Sequence, residues 1–176
     1  MKYYTENELQ NFRFEGAYIA ETCAVNGIFE MILDNVTILP QNSCNRDIRE
    51  MRANELKLKI REPEITAFVE EGYKVYDADG NLKEKKEDIL IAAEDQAAKL
   101  KELEGCEIYS IEQEKGVYTV SIDTEDHTFM IKVSGSADAE EWGHCFTNER
   151  KLIGKGLAQT LAVPVGEAAG EKDGIR

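Results

Sequence analysis

Apolar and polar residues alternate with a period of two along most of this chain, the pattern of strands buried on one face. From Phe12 and Phe14 it runs through Tyr18-Ile19-Ala20. After Asn26-Gly27 it resumes with Phe29, Met31 and Leu33 on one side against Glu30 and Asp34 on the other. Asn26-Gly27 suits a two-residue hairpin turn because both residues tolerate positive φ, so residues 17–39 are expected to form a hairpin. A polar loop follows from Pro40 to Asn45. Leu56, Leu58 and Ile60 then alternate with Lys57, Lys59 and Arg61, which predicts a strand with one core face and one cationic face. Residues 65–69 and 73–76 extend the β pattern, and Asp77-Ala78-Asp79-Gly80-Asn81 is turn chemistry.

Three segments read as helical. Thr5-x-x-Glu8 matches a capping box and predicts one or two turns over residues 6–10. Residues 87–104 carry Ile89, Ala93, Ala97, Leu100 and Leu103 at helical spacing, with Gly105 where a C′ glycine belongs, and predict the one long helix. Between this helix and the third segment, Tyr118, Val120 and Ile122, then Phe129, Ile131 and Val133, predict a second hairpin around Thr124-Glu125-Asp126. Ser136 is placed to cap a short C-terminal helix, with acids in its first turn and Trp142 and Phe146 on one stripe. The fold class expected is mainly β (α+β), an antiparallel β-sandwich or barrel of about seven to nine strands with helices at its margin. Residues 1–149 are expected to form one domain, with a loosely ordered tail at 150–176.

Two stretches match at a constant offset. Gly16 and Gly27 correspond to Gly105 and Gly116, Ile19 to Ile108, Phe29 to Tyr118, Met31 to Val120, Leu33 to Ile122 and Asp34 to Asp123. Duplication of a hairpin unit, with half-units 12–86 and 105–148, and generic hairpin resemblance both account for the match.

Composition narrows the function classes. The 176 residues hold 21 Lys+Arg and 35 Asp+Glu, a formal charge of -14. That balance opposes nucleic acid and anionic membranes, whose affinity comes from cationic side chains. The N-terminus lacks the apolar run of a secretory signal, and no uncharged stretch approaches the ~18 residues of a spanning helix. Cys23, Cys44, Cys106 and Cys145 have no paired spacing and read as reduced thiols of a cytoplasmic protein.

No motif specifies a reaction, and no cofactor or metal is expected. The Asp77–Asn81 turn, aligned to a calcium loop on Gly80, puts Val75 and Lys86 where the first and last ligands belong. Glu141-x-x-His144 lacks the second motif that a di-iron site needs. His144 and Cys145 are adjacent and on a helix point about 100° apart, which does not make a nucleophile and base. Ser134-Gly135-Ser136 precedes three carboxylates that would repel a phosphate.

Charge layout is more informative. Residues 106–149 hold ten acids and two lysines, whereas residues 46–61 hold six bases and three acids. The interaction residues expected are therefore Glu112, Glu114, Glu125 and Asp126 on the acidic side and Arg49, Arg52, Lys57 and Lys59 on the cationic side. The leading reading is a non-enzymatic interaction module, like immunity or antitoxin proteins in charge and size only, that binds a basic protein or a second copy of itself. A β-barrel or sandwich with a ligand cavity lined by Tyr18, Tyr73, Tyr76, Tyr109 and Tyr118 is the alternative, and an enzyme of unknown class is third.

Overall fold

The structure, a computed structural model, describes residues 2–25 and 27–146; Asn26 and everything from residue 147, the expected tail included, lie outside the described residues. The chain starts with β1 (Tyr3–Glu6), a 3-10 turn (Leu9–Asn11), β2 (Phe12–Arg13), β3 (Ala17–Val25), β4 (Ile28–Asp34), β5 (Val36–Ile38), β6 (Met51–Ala53), β7 (Leu56–Arg61) and β8 (Glu64–Glu70). It continues through β9 (Tyr73–Tyr76), β10 (Leu82–Lys86), β11 (Ile89–Leu90), α1 (Gln96–Glu102), β12 (Glu107–Glu114), β13 (Val117–Asp123), β14 (Thr128–Ser134), β15 (Ala137–Trp142) and β16 (Cys145–Phe146).

The architecture is mainly β and antiparallel. Ten strands form one sheet in the order β1-β15-β7-β4-β3-β12-β13-β14-β8-β11, four form a small sheet in the order β16-β6-β5-β2, and β9-β10 is a separate ribbon. The large sheet folds at two corners. At one, β7 runs into β8 and β14 into β15; the two stretches pair on both sides of the bend, Arg61 with Ala137 before it and Glu64 with Ser134 after it, and the Ser136 N–H donates to Arg61 O between. At the other, β3 and β12 pair only at Ala17 with Ile108 and Tyr18 with Glu107. Strands that pass from one layer to the other at bends are how two packed layers share corners. The sheet is not a closed barrel, since β1 and β11 are its edges.

A single core fills the space between the layers. Phe29, Met31, Leu33, Leu58 and Ile60 from one layer meet Phe68, Tyr118, Ile122 and Ile131 from the other. Their alternation with polar residues is why β4, β7, β13 and β14 form where the pattern places them. Helix α1 and the turn after it bring Leu100 and Leu103 into this core. Lys99 Nζ lies 5.8 Å from the Phe129 ring centre, and the Thr22 N–H donates to Glu104 across 2.8 Å.

The strand order is the same in kind from either end, with β3 exchanging with β12, β4 with β13, β7 with β14, β15 with β8 and β1 with β11. Main-chain bonds obey the exchange. Gly16 N–H donates to Ile108 O at 3.1 Å and Gly105 N–H to Ile19 O at 2.7 Å; Ala17 N–H donates to Phe14 O at 2.8 Å and Cys106 N–H to Leu103 O at 3.1 Å. Both β3 and β12 carry a one-residue bulge, at Ala20 and Tyr109. Gly27 and Gly116 adopt positive φ at the corresponding hairpin turns, a conformation that glycine accepts without steric cost.

The helices depart from expectation. The helix expected over residues 87–104 shrinks to Gln96–Glu102, because Ile89 and Leu90 pair with Glu70 and Val69 on the sheet edge and tertiary pairing overrides helix propensity. No N-terminal α-helix forms. Thr5 lies in β1 opposite Glu140, and its hydroxyl donates to that carboxyl instead of capping a helix. The C-terminal helix is also replaced, by β15 and β16. Asp138, Glu140 and Trp142 are the inward positions of β15, so its buried face is two-thirds carboxylate and does not read as a strand.

Candidate functional site

An acidic cleft of about 710 Å³ opens where the β13–β14 turn meets the end of α1 and the start of β12. Glu102, Glu104, Glu107, Asp123, Glu125 and Asp126 line it with His127, and among the described residues lining it none is Lys or Arg. The β12–β13 hairpin turns at Lys115-Gly116 and so sets Glu107 directly opposite Asp123. Like charges in a directly opposed pair are destabilising. The corresponding pair in the other layer is Tyr18 with Asp34, so the fold itself does not demand two facing carboxylates. Some of the charge is met locally. Lys99 contacts Glu102 at 2.5 Å, and Lys101 at 2.8 Å, together with the Thr22 N–H, holds the Glu104 carboxyl below the usual range. Glu107, Glu125 and Asp126 have no cationic partner among the described residues. Tyr18, paired with Glu107, and Tyr109, two residues further along, are exposed beside the cleft.

The structure divides the expected acidic set. Glu125 and Asp126 lie in the cleft, whereas Glu112 and Glu114 lie at the far end of β12 beside the Lys115-Gly116 turn. Glu107 and Asp123 were missed. The signal for them was the Gly116 turn, whose register alone brings them face to face.

The expected cationic residues do not form an open patch. β7 is an inner strand of the sheet, and Lys59 Nζ sits 3.6 Å from Glu30 and 3.5 Å from Glu141. Glu141 also binds Lys2 at 2.8 Å, and Arg61 pairs with Glu6. Lys57 borders a recess with Glu55 and Glu141. Arg52 donates to Asn35 Oδ1 at 2.5 Å, and Arg49 lies in the loop before β6, its N–H held by Asp47.

A second constellation is sealed in the core. Tyr118 O–H donates to Asp138 Oδ1 at 2.8 Å, and Thr5 O–H to Glu140 Oε2 at 2.6 Å. Asp138 is 3% exposed and Glu140 0%. Their remaining oxygens, Asp138 Oδ2 and Glu140 Oε1, find no hydrogen-bond partner among the described residues; a proton on Glu140 held toward Asp138 would satisfy both. Burial, reinforced by the Asp138 carboxylate and opposed by the Thr5 hydrogen bond, pushes Glu140 up to about 8. Burial and Asp138 raise the Tyr118 phenol as well. Substrate cannot reach this pair; it ties proton occupancy to folding.

The five tyrosines do not share a cavity. Tyr118 is in the core, while Tyr18, Tyr73, Tyr76 and Tyr109 are exposed on outer faces and on the ribbon. Cys44 and Cys145 line one open cleft of about 520 Å³ with Tyr3, Arg46 and Met51. No helix among the described residues is long and apolar enough to cross a membrane. Comparison with protein-family models, with curated proteins and with solved structures finds no match to this chain.

Proposed function

We propose that this chain is a non-enzymatic protein-interaction module that takes a cationic segment of a protein in its acidic cleft. The observation that carries the reading is the facing pair Glu107 and Asp123, extended by Glu125 and Asp126. It is a local cost to the fold, absent from the corresponding pair in the other layer, and bound ammonium or guanidinium groups would relieve it. The exposed rings of Tyr18 and Tyr109 supply faces on which such cations stack. A field of this sign speeds encounter and sets register more than it adds affinity.

Fluorescence anisotropy with a labelled oligolysine peptide, and an oligoglutamate control, tests the proposal. Binding is expected at low salt and should weaken steeply toward ~1 M salt, where the screening length falls to about 3 Å. The combined substitution Glu107→Gln, Asp123→Asn, Glu125→Gln and Asp126→Asn should weaken it at least tenfold. Glu112→Gln with Glu114→Gln should leave it unchanged. Equal loss in both variants, or no binding of the peptide, refutes the assignment.

A further inference from the structure

Among the described residues the β9–β10 ribbon pairs with no other strand. Its register sets Tyr73 opposite Lys86, Lys74 opposite Lys85, Val75 opposite Glu84 and Tyr76 opposite Leu82, with Lys83 as the bulged residue. A two-stranded ribbon alone in water is marginal, yet Tyr73, Val75, Tyr76 and Leu82 are all exposed, Tyr76 at 56% and Leu82 at 52%. Alternation separates the faces. One carries Tyr73, Val75, Glu84 and Lys86; the other carries Lys74, Tyr76, Leu82 and Lys85, with no carboxylate of the ribbon strands among them. At the ribbon's base Lys74, Lys85 and Lys86 line an open recess of about 580 Å³ together with Tyr73, Glu87 and Asp88. Lys86 is held by Glu70 at 2.6 Å and Lys85 by Glu87, whereas Lys74 has no carboxylate partner among the described residues.

We propose that this ribbon is a self-association arm, its lysine-lined recess receiving the Asp123–Asp126 turn of a second copy. The proposal rests on the reading of the acidic cleft as a site for a cationic protein segment, and names that segment. A second copy fits for two reasons. In a chain of charge -14 the ribbon, residues 73–86, holds four lysines against three acids, so the complementary surface for the cleft is present on the same molecule. Ribbon and turn are also neighbours, since Glu71, Gly72 and Tyr73 share a cleft of about 400 Å³ with residues 123–128. Two copies related by a two-fold axis can therefore each lay the ribbon over the other's turn, giving two identical contacts that close at the dimer. Tyr76 and Leu82 are then covered.

Sedimentation velocity of the full chain over a concentration series, at low and at ~1 M salt, provides the test. A dimer that dissociates with salt is expected. Lys74→Glu with Lys85→Glu, and separately Glu125→Lys with Asp126→Lys, should each give monomers, and an equimolar mixture of the two variants should restore a dimer. A wild-type chain that stays monomeric at low salt, or a dimer indifferent to both charge reversals, overturns the proposal; the wild-type measurement decides even where a variant misfolds. Oligolysine separates the two readings. If it binds the cleft of a chain that is monomeric, the interaction module stands and the self-association arm falls. If the lysine-reversed variant is monomeric and still binds oligolysine, both stand.

Discussion

Replacing Glu140 by Gln makes the buried carboxyl pair measurable. The Gln amide can keep the Thr5 hydroxyl as a donor to its oxygen and donate its own N–H to Asp138, so it imitates the protonated acid. Glu140 moves from 4.5 in the unfolded chain to about 8 in the folded one. Each tenfold in proton affinity is worth about 1.4 kcal/mol, so the full interval is worth roughly 5 kcal/mol. The folded value is raised, so the folded state binds the extra proton. The stabilisation from protonated Glu140 is complete below about pH 4.5, is eroded by roughly 3 kcal/mol at pH 7 and is gone above about pH 8. Urea unfolding of wild type and Glu140→Gln between pH 5 and 8.5 should give nearly equal stabilities at the acid end. By pH 8 the variant should be ahead by several kcal/mol, with unchanged m-values. Glu70, Glu104 and Glu141, each held low by a neighbouring lysine, contribute with the opposite sign. Their stabilisation is present above about 4.5 and is lost as pH falls, and being common to both proteins it cancels in the difference. Parallel pH profiles, or a wild type that gains on the variant as pH rises, would refute the shared-proton account.

Tyr118→Phe installs the residue found at the corresponding place, Phe29, and strips Asp138 Oδ1 of its donor. A loss of about 1–3 kcal/mol is expected in thermal or urea unfolding at pH 6, the usual cost of a buried acceptor left unpaired. Gly135→Ala puts a Cβ 2.3 Å from Ile60 Cγ2 and 3.0 Å from Arg61 O at the corner between the layers, and should cost ~1–3 kcal/mol. At Gly143, where a Cβ would meet nothing within 4 Å, the same change should cost less than about 1 kcal/mol by the same assay.

Periodicity located β4, β7, β13 and β14 because every inward position on them is a large apolar residue. The same logic failed at β15, whose inward positions are Asp138, Glu140 and Trp142; three acids after Ser136 look like a helix N-terminus when the pairing with β7 and β1 is unknown. The long helix ends two residues earlier than expected, at Glu102 with Leu103 as its C-cap, and Gly105, expected at C′, supplies positive φ in the turn that follows. Its start was misplaced because Ile89 and Leu90 obey helical spacing while the edge of β8 claims their backbone. The acidic site was half legible. Glu125 and Asp126 are turn residues and visible as such, whereas Glu107 and Asp123 are 16 positions apart in the sequence and meet only through the register of the β12–β13 hairpin.

The exchange symmetry of the sheet separates what the fold requires from what this chain adds. In one layer Ile65 and Phe68 face Val133 and Ile131, and the N–H of Ile91 donates to Phe68 O. In the other, Asp138 and Glu140 occupy the corresponding places opposite Ile60 and Leu58, with Thr5 in place of Ile91. Phe29 stands where Tyr118 stands across the exchange. All four members of the buried polar network thus have apolar counterparts in the same architecture, and a buried ionic group replaced by packed hydrocarbon is often neutral or stabilising. Packing alone therefore does not account for the network. The acidic cleft breaks the exchange as well. The chain between β4 and β7 grows into β5, β6 and the small sheet, while the chain between β13 and β14 is cut to the turn that carries Thr124, Glu125, Asp126 and His127. The short turn leaves that end of the layer open, and there Glu107 stands where the exchange has Tyr18, facing an Asp123 that matches Asp34, so the second carboxylate of the pair is the one this chain adds.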